Sequence, residues 1–270
     1  MILIFMKATL ILLFLTALLT ACELIEYSPN QTFDKNTPRE LNTKNLQLLQ
    51  ANPVDDTIRF VLTGDSQRAY KNAHDLVNVV NRIKGVDFVL LAGDISDFGL
   101  LGEMEWINSI FSQLKSPYIG VIGNHDLVAN GENIYTRMYG DLNFCFVYNK
   151  VKFVCHNTNS REVNFSGKVP DMNWLKNELD PEQGVDAYIS VAHVPPFSVD
   201  FDKQLESQYV RLVNSSPNTL AALYAHNHRE EIRYPDNTSI PYLVTHAIGR
   251  RQFLLLEIIN GKLSYESITY

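Results

Sequence analysis

The chain predicts an α/β domain, and three observations predict it. Apolar, β-branched-rich runs of strand length recur along it, helical apolar patterns lie between the first three, and a short polar cluster closes five of the runs. Such runs suit strands buried on both faces. Strand–helix–strand–helix–strand order argues for parallel pairing with right-handed crossovers. In open α/β sheets ligand sites assemble at the C-terminal strand edge, so the five polar clusters are expected to converge.

The elements follow in order. Residues 58–63 read as a strand, then 71–84 as a helix with Leu76, Val79, Val80 and Ile83 on one face and Gly85 closing it. Strand 87–92 leads to helix 101–114, which carries Trp106, Ile107, Ile110, Phe111 and Leu114, and then to strand 117–122. A short helix at 133–139 precedes a hairpin of 143–148 against 151–155, turning at Asn149-Lys150. Helix 171–179 starts after Pro170, and strand 187–192, helix 202–213 and strand 219–225 complete a second run. The end is strand-rich, at 240–245, 251–259 and 262–269, with Asn260-Gly261 a strong hairpin turn between the last two.

The clusters are Gly64-Asp65-Ser66-Gln67, Gly93-Asp94-Ile95-Ser96-Asp97, Gly123-Asn124-His125-Asp126, a lone His193, and His226-Asn227-His228. These are side chains that bind divalent metals through oxygen and imidazole nitrogen. None contains cysteine, so thiolate-zinc and iron–sulfur chemistry are not indicated. Taken singly, each has a plain structural reading: a Gly-Asp turn, a loop histidine before Pro195-Pro196, a pair of loop histidines. Their joint order argues for one site.

That order resembles the calcineurin-like metallophosphoesterase family, whose pattern is Asp-x-His, Gly-Asp-x-x-Asp, Gly-Asn-His-Asp/Glu, an isolated His and Gly-His-x-His. The match runs from Asp65 to His228. Two positions depart, Gln67 standing where the family usually has His and Ala225 where it usually has Gly. The resemblance implies two mixed sheets packed together with helices outside, a four-layer αββα sandwich. It implies two divalent ions, of Mn, Fe, Zn or Mg. Asp65, Gln67, Asp94 and His228 would hold the first, and Asp94, Asn124, His193 and His226 the second. His125 would meet the phosphate and protonate the leaving group, with Asp126 and Asp97 orienting it.

Such ions clamp the attacking and leaving oxygens of an in-line displacement. Asp65 and Asp94 alone bring formal charge to the shell, so two dications leave it net positive and suited to an anionic phosphoryl group. The expectation is an enzyme hydrolysing phosphate mono- or diesters of small molecules. Two alternatives stay open: a catalytically weakened metal- or phosphate-binding module, motivated by Gln67, and a nuclease or cyclic-nucleotide phosphodiesterase. A net charge of −7 argues against general affinity for nucleic acid. Arg68, Asn157, His246, Arg250 and Arg251 are candidate substrate contacts; His74 reads as solvated and His156 as packed near the site.

At the N-terminus Lys7 precedes an almost wholly apolar run from Ala8 to Leu19, followed by Leu19-Thr20-Ala21-Cys22. This resembles a bacterial lipoprotein signal; an ordinary secretory signal or an anchor is the alternative, though the run is short for a span. It implies a signal peptide at 1–21 and lipidation at Cys22; the Asn-, Gln- and Pro-containing stretch to residue 56 reads as a flexible tether with at most one or two helical turns at 45–50, and 57–270 as the folded domain. The protein would be exported and lipid-anchored to a bacterial membrane, facing the periplasm or the exterior. Cys145 and Cys155 flank the hairpin turn. A two-residue turn leaves them on opposite faces as free thiols, and only a three-residue loop would bring them into register.

Overall fold

A computed structural model describes residues 28, 30–52, 56–216 and 218–270. The lipoprotein signal and Cys22 lie outside them. Among the described residues no helix is long and apolar enough to cross a membrane.

Two mixed sheets stack face to face with helices outside, the four-layer arrangement expected. The first sheet has the order β11-β10-β1-β2-β3, where β1 is Thr57–Thr63, β2 Phe88–Ala92, β3 Tyr118–Val121, β10 Gln252–Ile259 and β11 Lys262–Thr269. β1, β2 and β3 run parallel, while β10 and β11 are antiparallel additions. The second sheet has the order β4-β5-β6-β7-β9-β8, where β4 is Phe144–Tyr148, β5 Val151–Cys155, β6 Ala187–Val191, β7 Thr219–Tyr224, β8 Glu231–Arg233 and β9 Tyr242–Val244. β5, β6, β7 and β9 are parallel.

One apolar cluster fills the space between the sheets. Phe60 and Phe88 from the first sheet meet Phe146 and Phe153 from the second, with Phe88 edge-on to Phe153 at 5.3 Å between centroids. Burial on both faces explains why β2 and β3 read as continuous apolar runs, and β5 and β6 as such runs broken only by the buried Lys152 and Ser190. The outer face of the first sheet packs on α2 (Tyr70–Val80), α3 (Leu101–Phe111) and α4 (Gly131–Met138). The outer face of the second packs on α5 (Met172–Leu179) and α6 (Lys203–Ser215), whose first turns are capped by Asp171 and Asp202.

Several boundaries differ from expectation. α2 and α3 each end earlier and close through a tighter turn, in which Ile83 N–H bonds Val80 and Leu114 N–H bonds Phe111. Trp106 is exposed and packs edge-on against Tyr70 instead of entering the core. The β4–β5 turn has positive φ at Asn149 and Lys150, which fits a two-residue turn. Cys145 pairs with Val154 and Cys155 with Phe144, so the thiols lie on opposite faces and are free.

The stretch read as tether contributes a helix, α1 (Leu41–Ala51), preceding the domain boundary set at residue 57. Leu49 enters the inter-sheet core. The Asn42 amide donates to the Gly120 carbonyl and accepts from the Gly120 N–H, both at 2.8 Å. Leu46 packs against the same core and Leu41 against the outer cluster of the first sheet, so the leucines are spread around the helix and form no single stripe for periodicity to reveal.

Candidate metal centre

The carboxyl ends of β1, β2, β3, β6 and β7 meet at one edge of the sandwich, and each delivers one cluster. Asp65 N–H bonds the Gly93 carbonyl, Ser66 and Gln67 N–H bond the Asp94 carbonyl, and Ala225 N–H bonds the His193 carbonyl. The loops are thus stitched to one another before any side chain is placed. Asp65, Asp94, His226 and His228 all hold positive φ, a strained setting that concentrates at functional sites.

Two glycines make the approach possible. Gly93 has φ +85, and a Cβ there would lie 2.5 Å from Nδ1 of His193. A Cβ on Gly123 would overlap the Asp94 backbone. Gly64 lies against the methyl of Ala225, where any added Cβ would come within 2.6 Å of it, so Ala225 is tolerated because its neighbour carries no side chain.

Two ligand groups result, Asp94–His193–His226 and Asp65–Asp94–His228, the atoms of each lying within 4.8 Å of one another. Asp94 belongs to both. Its Oδ1 accepts from the His125 N–H at 2.9 Å, while Oδ2 faces Gln67 Nε2 at 3.3 Å and His193 Nε2 at 3.2 Å. Asn124 Oδ1 stands 3.1 Å from His193 Nε2 and 3.0 Å from His226 Nδ1.

Tautomers follow from the far side of each ring. His193 Nδ1 is 2.7 Å from the Ala92 carbonyl, which can only accept, so Nδ1 carries hydrogen and Nε2 presents its lone pair to the cluster. His226 Nε2 is 3.0 Å from Asp200 Oδ2, which leaves Nδ1 inward. Asn124 Oδ1, Asp94 Oδ2 and the inward nitrogens of His193 and His226 therefore converge, a donor set that could hold a cation. In the first group, Gln67 Oε1 is buried without a hydrogen bond, and Asp65 Oδ1 lies 3.2 Å from His228 Nε2. Oxygen and imidazole donors with no thiolate fit a hard or borderline divalent metal.

The electrostatics agree. Burial opposes charge on His193, but Asp94 beside it pushes the imidazole up to about 9, a proton standing in for the cation. Burial would raise the Asp94 carboxyl, and the His193 charge outweighs it and holds the carboxyl down. His226 is lowered by burial and by the nearby His193 charge. Asp65 raises His228.

His125 is half-exposed on the wall of an open pocket of about 400 Å³ that is also lined by Asp65, Gln67, Arg68, Asp97, His228 and Arg250. Its Nδ1 donates to the Asp97 carbonyl at 2.8 Å, with the Asp97 carboxylate 3.6 Å away. The expectation that Asp126 orients His125 is corrected. Asp126 is fully buried and accepts from the N–H groups of Ile95, Ser96 and Gly123 and from the Ser96 hydroxyl. It braces the Gly93 and Gly123 loops, and burial with the Asp94 charge pushes its carboxyl up to about 6. Although next in sequence to His125, its carboxyl is claimed by these loop groups.

Among the candidate substrate contacts, Arg68 and Arg250 line the pocket, Arg68 paired with Asp97. His246 is not among the lining residues: its Nδ1 is buried, and the chain reaches the wall only at Ala247. Asn157 is buried and bonded to Asn159, and Arg251 is bound to Asp75 and the Tyr270 carbonyl. His74 is exposed, as expected. His156 is buried, accepting from Tyr209. The residue that sequence reasoning missed is Asp200, which lies in a loop without a motif.

A family model described as calcineurin-like phosphoesterase matches residues 58–230. Among solved structures, a dimetal phosphatase from Danio rerio is similar at 13% identity and a TM-score of 0.59, over 79% of this chain and 99% of that one. GAP50, the anchor in the inner membrane complex of Plasmodium, gives 15% identity and 0.60, over 79% and 84%. A purple acid phosphatase from yellow lupin gives 13% and 0.56, over 81% of this chain and 55% of that one. At these identities the likeness is one of fold. No curated protein matches the chain.

Proposed function

The chain belongs to the calcineurin-like phosphoesterase family, and from that premise we propose that it hydrolyses phosphate mono- or diesters of small molecules at a dinuclear metal centre. The observation that carries the reading is Asp94, one carboxylate common to two converging ligand groups. Asp65, Gln67, Asp94 and His228 would hold one ion, and Asp94, Asn124, His193 and His226 the other. Two divalent ions there supply Lewis-acid polarisation of the phosphoryl group.

The protein's own residues do the rest. With Nδ1–H committed to the Asp97 carbonyl, His125 keeps Nε2 for the leaving-group oxygen, where it can act as the proton donor. Arg68 and Arg250 give the pocket wall positive charge toward an anionic ester. The test is turnover of mono- and bis-p-nitrophenyl phosphate by the purified chain loaded with Mn or Zn. Activity equal in wild type and Asp94→Asn would sink the reading. The weakened-module alternative is favoured by Gln67; two metal equivalents per chain with no turnover on a broad ester library would support it.

We further propose export and lipid anchoring at Cys22, on the residues of the N-terminal signal alone. Cys22→Ser is expected to move the protein out of the membrane fraction; unchanged retention with normal processing counts against lipidation.

A further inference from the structure

The two ligand groups differ in what lies behind their histidines. His193 is backed by a carbonyl and His226 by the Asp200 carboxylate, whereas His228 is half-exposed. Asp200 is itself tightly held. Its second oxygen, Oδ1, accepts from Arg161 at 2.9 Å, its N–H bonds the Ser198 hydroxyl at 3.2 Å, and the next residue, Phe201, is buried against Tyr209. Arg161 comes from the helical turn 160–163 after β5, so two loops from different strands close around the back of one imidazole.

We propose, on the reading that this is a metal centre, that Asp200 is the positioning residue of the second site. It fixes His226 as the Nε2–H tautomer with Nδ1 as the ligand atom, and Arg161 holds its carboxylate in place. A carboxylate behind a histidine raises the basicity of the ligand nitrogen and locks the ring. Asn124 Oδ1 stands 3.0 Å from that nitrogen, so the ring has one productive orientation, and Asp200 selects it. The second site is therefore the tighter of the two. The first relies on an exposed His228 and a neutral Gln67 oxygen.

The experiment is titration of the purified, metal-free full-length chain with Co²⁺, followed by calorimetry and visible absorption, with ¹⁵N-histidine spectra of the metal-free protein. Wild type is expected to bind two equivalents and to show His226 as Nε2–H. Asp200→Ala is expected to weaken one binding step by roughly 10–100-fold, leave the other within about threefold, and abolish the single His226 tautomer. Asp200→Asn keeps an acceptor without the charge and is expected to fall between; Arg161→Gln is expected to weaken the same step less than Asp200→Ala does. If circular dichroism shows Asp200→Ala unfolded, the Asn variant decides: a threefold or larger loss at one step supports the assignment, and unchanged constants overturn it. Two tight cobalt steps and an unchanged His226 tautomer in Asp200→Ala would overturn this inference alone. A wild-type chain that binds no cobalt would overturn the metal reading with it.

Discussion

The backbone N–H of His125 donates to Oδ1 of Asp94 at 2.9 Å, tying the candidate acid to the carboxylate that both ligand groups share. The bond uses the peptide and not the imidazole. Removing the ring therefore removes the proton donor and leaves Asp94 held.

His125→Ala is accordingly expected to keep two metal equivalents while kcat on an alkyl phosphate ester falls by roughly 10²–10⁴. The loss on a p-nitrophenyl ester is smaller, because that leaving group needs less protonation. Equal losses on both esters, or a lost metal equivalent, would remove the acid role.

Gln67 presents a buried oxygen, Oε1, with no hydrogen bond, while its Nε2 faces Asp94. Gln67→His replaces a hard neutral oxygen with imidazole nitrogen. The weaker metal step is expected to tighten by about tenfold and to shift in preference from Mn toward Zn. Competitive titration with both metals checks this; unchanged affinity and preference would show that Gln67 is not a ligand.

Gly93→Ala puts a methyl 2.5 Å from His193 Nδ1 at a φ of +85. Overpacking and left-handed strain together are expected to cost about 2–4 kcal/mol, read as a shift in urea midpoint. Binding at the second site, the tighter one, weakens as His193 is displaced from the Ala92 carbonyl. A midpoint within error of wild type would show that the loop relaxes freely.

His156 is held neutral by burial, its pKa lowered from 6.5 to about 4 in the folded chain. Its contribution is fully present above pH 6.5. As pH falls toward 4 the unfolded chain binds the proton that the folded chain refuses, and stability on the order of 3 kcal/mol is lost. His156→Leu is expected to be less stable than wild type at pH 7.5, with Tyr209 losing its acceptor. That deficit narrows toward pH 4. Denaturant curves from pH 4 to 8 read the difference; a deficit independent of pH would mean that His156 titrates normally.

The parallel strands and their polar ends were legible because burial on both faces and a break into Asp, Asn or His are local signals. Phe88–Ala92 followed by Gly93-Asp94 shows both. What sequence could not reveal depends on distant contacts. The carboxyl of Asp126 turns away from the neighbouring His125 because three loop amides claim it. Asp200 became visible only through the ring that it backs. Helix α1 scatters Leu41, Leu46, Leu48 and Leu49 around its axis, so no single stripe announced that it docks.

That helix has a consequence for how copies of the protein meet. β3 is the outermost strand of its sheet, and in such a strand unclaimed peptide groups invite another chain to add itself. Asn42 occupies both groups of Gly120 as a neighbouring strand would, and the Tyr135 hydroxyl bonds the same carbonyl. The N-terminal segment thus acts as a guard against edge-to-edge aggregation, and trimming the chain to residue 57 would lay that edge bare.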